Sequence, residues 1–395
     1  MANLIDYLDW RGDLSFKQAD FNDVDALVLC QISYMNFDSI LTDDFKNVKT
    51  IKELWEEFSS HSDFSNRSKM GAMINPASVT LLEKAGKSKR FGSILAGGYV
   101  SRIDLKREEQ FSAITFFRKK ARFEPFVAFR GTDDTLVGWK EDFNMIIDTI
   151  PSQKDALEYL TRVAKNTFGK MYVSGHSKGG NAAMYASAFI NRKYQRRIKK
   201  VYNNDGPGFS KEIIATPEIK RLTKVLHSFY PQFSVVGMLF EHVGDYTVIE
   251  SDDRGVMQHD PFSWHVTPCD FVTLPGLTKQ TVAFHKTFNA WIESIPMENR
   301  KVFVDTFFKV LEVTDAKTNT ELEANWLKNA GKIIKALNSI DKETRDQVLG
   351  VIDLLFKVVQ KNIPVIKGLE FFSNLGKKAK GKAISEKLQK MKTQH

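Results

Sequence analysis

Cysteine is scarce in this sequence of 395 residues, which holds two, Cys30 and Cys269. So few cysteines exclude a disulfide-built scaffold and a zinc site built from cysteine ligands. Long hydrophobic runs are also missing, since the best stretches, 228–240 and 348–366, are too short or are interrupted by charges. A membrane span needs about 20 apolar residues. The first residues lack the basic and apolar segments of a signal peptide, so we expect a cytoplasmic protein.

Excess positive charge is scarce over most of the chain, although the formal net charge is +9. After residue 360, nine lysines stand against two glutamates, so this tail carries +7 and the preceding residues carry only +2. A nearly neutral body is not typical of a nucleic-acid-binding domain, and we expect no nucleic-acid partner. For the basic segment 376–395 three interpretations stay open: a solvated terminus, contact with an anionic membrane surface worth about 1 kcal/mol per basic residue, and contact with nucleic acid.

Helical and strand patterns follow one another in a defined order along the chain. Short apolar runs begin near residue 93 and then alternate with helical patterns, which predicts an α/β fold with a mostly parallel sheet flanked by helices. Strand patterns stop after about residue 275, and only helical patterns follow. The predicted organisation is an N-terminal helical segment packed on the core (1–90), an α/β core (91–285), a C-terminal helical region (286–375) and a basic tail (376–395).

The motif that carries chemistry lies at residues 173–183, Val-Ser-Gly-His-Ser-Lys-Gly-Gly-Asn-Ala-Ala. It fits G-x-S-x-G between a strand pattern and a helical pattern, which is the setting that this motif requires. The serine then sits on a tight turn, so its neighbours must lack side chains, and the helix N-terminus offers free N–H groups. We therefore predict that Ser177 is a nucleophile, with a purely structural turn as the other interpretation. A phosphate-binding loop is excluded because Asn181, not lysine, follows the glycines.

A serine nucleophile needs a general base, and in α/β-hydrolases the chain order is serine, acid, histidine. His259 is the preferred base because it lies in a loop after the last strand pattern of the core. His265 and His242 are the alternatives. His176 is adjacent to the nucleophile, and we expect its side chain to point elsewhere.

The acid must orient the base and stabilise its protonated form. Asp205 ends the strand pattern that follows the serine motif, and an exposed Gly-Pro-Gly turn comes directly after it. Ligands of open α/β sheets bind at this edge, so Asp205 is the preferred acid. Asp245 and Asp260 stay open as alternatives, as does a turn-forming role for Asp205.

An oxyanion hole needs two preorganised N–H donors. We predict that one is the N–H of Lys178, directly after the nucleophile, and that the other is the N–H of Thr132 in the Phe-Arg-Gly-Thr segment 129–132. The side chain of Lys178 is expected either to favour an anionic substrate or to point into solvent. This chemistry needs no metal or cofactor.

Three segments together resemble the class 3 (fungal-type) lipases: 129–132, the Gly-Trp-Lys-Glu-Asp-Phe segment 138–143, and the serine motif. More closely, the chain resembles the bacterial Mbeg1-like α/β-hydrolase family, with which it shares Asn-Leu-Ile-Asp-Tyr-Leu at its start and the segments 204–209 and 258–264. The resemblance covers roughly residues 1–280. It implies an α/β-hydrolase fold, a Ser177 nucleophile and Thr132 in the oxyanion hole.

The sequence departs from the class 3 pattern at two places. Ser234 stands near the place of the class 3 acid, and Lys178 replaces the usual leucine after the serine.

From the motifs and the resemblance we expect a serine esterase or lipase-like hydrolase. It would cleave a small-molecule ester or lipid through an acyl-enzyme, with a thioester or amide as other substrates. The alternative is an inactive hydrolase-like scaffold that binds a partner or an anionic membrane through its helical region and basic tail.

Overall fold

The computed structural model describes residues 1–71, 74–120 and 123–318, followed by 321, 332, 335–342, 345–346 and 349. The chain forms two compact units, Met1–Ser294 and Ile295–His395. The second unit begins at Ile295, whereas the sequence places a boundary near residue 285. The basic tail predicted at 376–395 and much of the C-terminal helical region predicted at 286–375 lie outside the described residues.

One sheet organises the first unit. Its strands in the described residues are β1 (Lys49–Thr50), β2 (Leu95–Asp104), β3 (Glu109–Lys120), β4 (Phe123–Phe129), β5 (Met171–His176), β6 (Ile198–Asn204), β7 (Leu226–Pro231), β8 (Tyr246–Ile249) and β9 (Thr273–Leu274). Their order in the sheet is their order in the chain. The centre, β4 to β8, is parallel, whereas β1 to β3 and β9 are antiparallel to their neighbours. The tight link between β2 and β3 allows only an antiparallel hairpin, because parallel strands need a long crossover.

Helices of the first unit flank this sheet, and the helix Met297–Glu312 belongs to the second unit. In the described residues they are α1 (Leu4–Arg11), α2 (Asp23–Ile32), α3 (Ile51–Ser60), α4 (Phe64–Arg67), α5 (Ala77–Lys87), α6 (Leu136–Asn144), α7 (Pro151–Asn166), α8 (Lys178–Phe189), α9 (Arg192–Gln195), α10 (Lys211–Ile214), α11 (Pro217–Leu222), α12 (Lys279–Ser294) and α13 (Met297–Glu312). Among the described helices, none has the length and apolar composition needed to cross a membrane.

Alternating side chains of the central strands fill two separate cores. Phe126 and Tyr172 face the side that is covered by apolar residues of α1, α2, α3 and α5. Val127 and Val173, their neighbours in the chain, face the side that is covered by α7 and α8. A sheet buried on both faces needs apolar residues at consecutive positions, which is why these strands read as continuous apolar runs. The mixed sheet with helices on both faces is an α/β-hydrolase fold, and this prediction is confirmed.

A buried ion pair holds α2 against the sheet. Asn22 and Asp25 form a capping box at the start of this helix. The Nε and Nη2 atoms of Arg90 lie 2.6 and 2.5 Å from the two carboxylate oxygens of Asp25, and both side chains are fully buried. Because α2 is buried along its length and packs on β5, it fixes the position of the residues that follow it, among them Tyr34.

The parallel centre of the sheet decides where a site can form. The carboxyl ends of β4 to β8 meet at one edge, where open α/β sheets bind their ligands. Five polar residues follow these strands in the order of the sheet: Thr132, Ser177, Asp205, Ser234 and His259. The sheet therefore brings segments from distant parts of the chain to one edge.

Candidate active site

Ser177 sits on a sharp turn between β5 and α8. Its φ of 58° and ψ of −134° lie in a region that residues with a side chain rarely adopt, so its backbone is strained. A Cβ on Gly175 would lie 1.9 Å from the carbonyl oxygen of Gly179, and a Cβ on Gly179 would lie 2.2 Å from that of Phe129. The turn is thus so tight that these positions require glycine, as the motif predicts.

Asp205 and His259 are brought together at the carboxyl edge of the sheet. Oδ2 of Asp205 lies 2.6 Å from Nδ1 of His259, and Oδ1 accepts a hydrogen bond of 2.5 Å from Oγ of Ser234. Asp205 is fully buried, whereas the His259 side chain is 21% exposed. Because a carboxylate only accepts, Nδ1 carries the proton of a neutral imidazole and Nε2 keeps a free lone pair. The arrangement can therefore act as an oriented general base.

The alternative histidines are engaged elsewhere. His265 is buried, with Nδ1 3.2 Å from Glu250 and Nε2 2.7 Å from Asp252. His242 stacks on His285 with ring centroids 4.8 Å apart. Burial, reinforced by His285, lowers the pKa of His242 to about 4. Neither ring has Asp205 as a partner among the described residues.

Among the described residues, neither alternative acid forms a hydrogen bond with the His259 ring. Asp260 accepts a hydrogen bond of 2.5 Å from Nδ2 of Asn75, and its other oxygen accepts from the N–H of Phe262. Burial raises the pKa of Asp260, and these hydrogen bonds oppose the rise. Asp245 is exposed. Of the carboxylates considered from the sequence, Asp205 is thus the one that contacts the ring of His259.

The loop after β4 lies directly against Ser177. A Cβ on Gly131 would be 2.9 Å from Cβ of Ser177, so the Gly131–Thr132 backbone passes beside the serine. Within the described parts of the chain, the backbone N–H groups of Thr132 and Lys178 have no hydrogen-bond acceptor. An oxyanion hole requires two such N–H groups that are free to bind the oxyanion.

The Lys178 side chain does not point into solvent, so that expectation for it is wrong. It is only 3% exposed, and its Nζ lies 2.7 Å from Glu141 and 2.9 Å from the carbonyl oxygen of Gln110. Glu141 is fully buried and also accepts the N–H groups of Gln110 and Ser152. The ammonium is therefore held under α6 by an ion pair that the sequence analysis missed, although the Glu-Asp pair in segment 138–143 marks the place.

Asp142 fixes the side chain of Thr132. Its Oδ2 accepts a hydrogen bond of 2.6 Å from Oγ1 of Thr132. Burial raises the pKa of Asp142 to about 6, against the opposing effect of the Lys178 ammonium 4.0 Å away. The Thr132 hydroxyl is thereby committed to Asp142, and its N–H is left for a ligand.

His176 does not point away from the site as the sequence led us to expect. Its ring stacks on that of His259, with centroids 4.5 Å apart and planes inclined by 29°. Its Nε2 lies 2.9 Å from the carbonyl oxygen of His259, and its Nδ1 lies 2.7 Å from the hydroxyl of Tyr34. Sequence reasoning missed Tyr34 altogether, because nothing in the local pattern around it marks a polar contact to a distant strand.

Among the described residues, no group of three or more His, Cys, Asp or Glu side chains converges in a way that would hold a metal ion. Metal ligands of these types must come together in such clusters to fill a coordination shell. The polar groups that the described residues bring to this edge include Ser177, the Asp205–His259 pair and the backbone N–H groups of Thr132 and Lys178.

The sequence profile of the Mbeg1-like family matches residues 85–309. Among solved structures, one titled "Crystal structure of M37 lipase" is similar, with 14% identity, a TM-score of 0.34, and coverage of 54% of this chain and 68% of that chain. No curated protein matches the chain. The family match spans more than half of the chain and includes every residue of the candidate site except Tyr34.

Proposed function

This chain belongs to the Mbeg1-like family, and we propose that it is a serine hydrolase that cleaves carboxylic esters. The observation that carries the proposal is the contact of 2.6 Å between buried Asp205 and Nδ1 of His259, at the sheet edge where Ser177 occupies its strained turn. A carboxylate in this position orients the ring and stabilises the imidazolium that forms when the base takes a proton. A carboxylate–histidine pair at the same sheet edge as a partly buried serine on such a turn is thus suited to nucleophilic catalysis.

In the first half of the reaction, Oγ of Ser177 attacks the ester carbonyl carbon and His259 Nε2 takes the hydroxyl proton. The carbonyl oxygen becomes an oxyanion, which the N–H groups of Thr132 and Lys178 stabilise. The C–O bond to the alcohol then breaks, and His259 gives its proton to the leaving oxygen. Asp205 stays ionised throughout. The product of this half is an acyl-serine ester and a free alcohol.

In the second half, His259 removes a proton from water, and the resulting hydroxide oxygen attacks the acyl carbon. The same two N–H groups stabilise the second oxyanion. The bond to Oγ of Ser177 breaks, the serine regains its proton from His259, and a carboxylic acid leaves. A lipid or another acyl ester is the substrate class that we propose, in keeping with the resemblance to class 3 lipases.

The test is covalent labelling with a fluorophosphonate probe, followed by hydrolysis of p-nitrophenyl esters of increasing acyl length. We expect the wild type to be labelled, and labelling to be lost in Ser177→Ala and His259→Ala. The chain-length series then measures the acyl pocket. A folded wild type that is neither labelled nor active, with or without detergent or liposomes, would overturn the proposal and favour an inactive scaffold.

Two matched variants control for indirect effects. Ser187→Ala removes another serine of α8, which is fully buried and whose hydroxyl has no hydrogen-bond partner among the described residues. His265→Ala removes the alternative base, which contacts Glu250 and Asp252. Both variants should be labelled like the wild type. Loss of labelling in His265→Ala with retention in His259→Ala would instead assign the base to His265.

A further inference from the structure

Tyr34 connects three parts of the candidate site through one buried hydroxyl. The residue follows α2 and its side chain is buried. Its hydroxyl oxygen accepts a hydrogen bond of 3.2 Å from the N–H of Gly131 and lies 2.7 Å from Nδ1 of His176. A Cβ on Gly131 would be 2.5 Å from this hydroxyl, so the glycine is needed for the contact. The N-terminal helical segment thus reaches the loop that precedes Thr132.

The hydrogen bonds have one consistent direction. The carbonyl oxygen of His259 only accepts, so Nε2 of His176 must donate to it, and the bare Nδ1 of His176 must accept from Tyr34. Burial raises the pKa of Tyr34 and lowers the pKa of His176 well below its usual value. The phenol therefore stays protonated and the His176 ring stays neutral. An unbroken series runs from the N–H of Gly131 to the backbone of His259.

This series of hydrogen bonds contacts the segments that carry each group required by the proposed reaction. Gly131 precedes Thr132, whose N–H is a proposed oxyanion donor. His176 precedes Ser177 in the strained turn. The His176 ring also lies against the His259 ring at 4.5 Å, so it restricts both the backbone and the ring of the proposed base. Displacement of any one of these elements by about 1 Å is enough to cost about 10²-fold in rate.

We propose that Tyr34 and His176 are positioning residues. Through the Tyr34 hydroxyl they hold the Gly131–Thr132 loop, the turn at Ser177 and the His259 ring in fixed relative positions. This role rests on the proposed function. Neither residue exchanges a proton with the substrate. Tyr34 lies outside the region that the family profile matches, so the N-terminal segment contributes to the site and does not only cover the sheet.

The test compares Tyr34→Phe with Tyr159→Phe. Both substitutions remove one buried hydroxyl with two partners, since Tyr159 donates to the carbonyl oxygen of Gly98 and contacts Thr115. Tyr159 lies in α7, on the other face of the sheet. We expect Tyr34→Phe to lower kcat and the rate of fluorophosphonate labelling by about 10- to 100-fold with little change in KM. Tyr159→Phe should keep the wild-type values.

The outcomes separate this inference from the proposed function. A wild type that is not labelled overturns the proposed function and this role with it. A labelled wild type together with a Tyr34→Phe variant that is labelled at the same rate overturns only the role of Tyr34. Equal losses in Tyr34→Phe and Tyr159→Phe would mean that general destabilisation explains both, and they would also overturn it.

A second measurement does not depend on the activity of any variant. Nitrogen-15 spectra of histidine-labelled wild-type protein report which ring nitrogen carries the proton. We expect His176, assigned by comparison with His176→Gln, to be neutral and protonated at Nε2 from pH 6 to 8. Protonation at Nδ1 would contradict the hydrogen bond from Tyr34 and overturn the inference.

Discussion

Ser234 donates a hydrogen bond of 2.5 Å to Oδ1 of Asp205, whose Oδ2 faces Nδ1 of His259. Two segments that follow adjacent parallel strands, β6 and β7, thereby share one carboxylate. A Cβ on Gly237 would lie 2.4 Å from the same Oδ1, so the backbone after Ser234 also closes around it. Both oxygens of Asp205 are thus fixed, and the acid presents one defined lone pair to the histidine.

We expect Asp205→Asn to lower kcat by about 10⁴-fold, because an amide favours the wrong tautomer of His259. Ser234→Ala should cost about 10-fold, since it removes a single hydrogen bond of about 1.4 kcal/mol to a charged group. Hydrolysis of a p-nitrophenyl ester measures both. Asp245→Asn, at an exposed position, is the control and should be fully active. An active Asp205→Asn variant would show that another carboxylate is the acid.

Gly131→Ala should abolish labelling by a fluorophosphonate. The added methyl group would meet the Tyr34 hydroxyl at 2.5 Å, the carbonyl oxygen of His176 at 2.6 Å and Cβ of Ser177 at 2.9 Å. Two of these atoms belong to the nucleophile turn, so the loop must move and carry the N–H of Thr132 with it. Loss of one oxyanion donor costs about 10²–10³-fold in turnover.

Gly276→Ala is the matched control for this substitution, because a Cβ at that glycine meets no atom within 4 Å. Circular dichroism would establish that both variants are folded. If folded Gly131→Ala is labelled at the wild-type rate, the close approach of this loop to Ser177 has no catalytic importance.

The buried ion pair of Lys178 and Glu141 leads to a prediction about the free energy of unfolding. Lys178→Met leaves the Glu141 carboxylate buried without its cation, which typically costs about 3–5 kcal/mol in the free energy of unfolding. The double variant Lys178→Met, Glu141→Gln removes both charges and should recover at least half of that loss. Urea unfolding at pH 7 measures both values. A single variant as stable as the wild type would contradict an important ion pair.

The raised pKa of Asp142 leads to a prediction of how the free energy of unfolding depends on pH. Its pKa is 3.8 in an ordinary environment and about 6 in the folded chain. Between these values the folded protein holds a proton that the unfolded chain has lost, so this group's contribution to stability is complete below pH 3.8 and is lost as pH rises through about 6. Because the side chain is 29% exposed, we expect a loss of about 1–2 kcal/mol after solvent screening.

Asp142→Asn cannot ionise and should escape this loss, while its amide oxygen still accepts the hydrogen bond from Thr132. The free energy of unfolding of the variant, relative to the wild type, should therefore increase from pH 4 to pH 7 and then stay constant. Urea unfolding at a series of pH values measures the difference. A difference that does not change with pH would show that Asp142 is ionised over the whole range.

The central strands were predictable from the sequence because they are buried on both faces. The apolar runs at 125–130 and 170–175 predict strands, and they correspond to β4 and β5 with ends that differ by a few residues. The strands β1 and β9 were not predicted, since two residues cannot form a periodic pattern and only pairing with a neighbour defines them. Tertiary contacts, not local composition, make these two strands.

The start of α8 shows a second limit of prediction from the sequence. The alanine-rich composition predicts a helix from Asn181, but the helix begins at Lys178. Alanine content identifies the middle of a helix, whereas its beginning is decided here by the turn at Ser177, after which the chain must enter a helix at once. The motif contained this information, and the composition did not.

Part of the candidate site was predictable from the sequence. Motifs with fixed spacing led to Ser177, and the order of elements led to Asp205 and His259, which the structure brings together. The contacts of Tyr34 with His176 and of Lys178 with Glu141 join residues far apart in the chain. Such pairs leave no periodic or local signal, so a single sequence cannot indicate them.

The strand order described above has a consequence for a chain that is still being made. Domains fold from the N-terminus as synthesis proceeds, and here each new strand finds its partner in the strand made just before it. The turn with Ser177 can therefore form on the ribosome before the loop with His259 has been translated. Until that loop has been made, the proposed nucleophile has no base, so we expect the turn with Ser177 to be folded but unreactive in the growing chain.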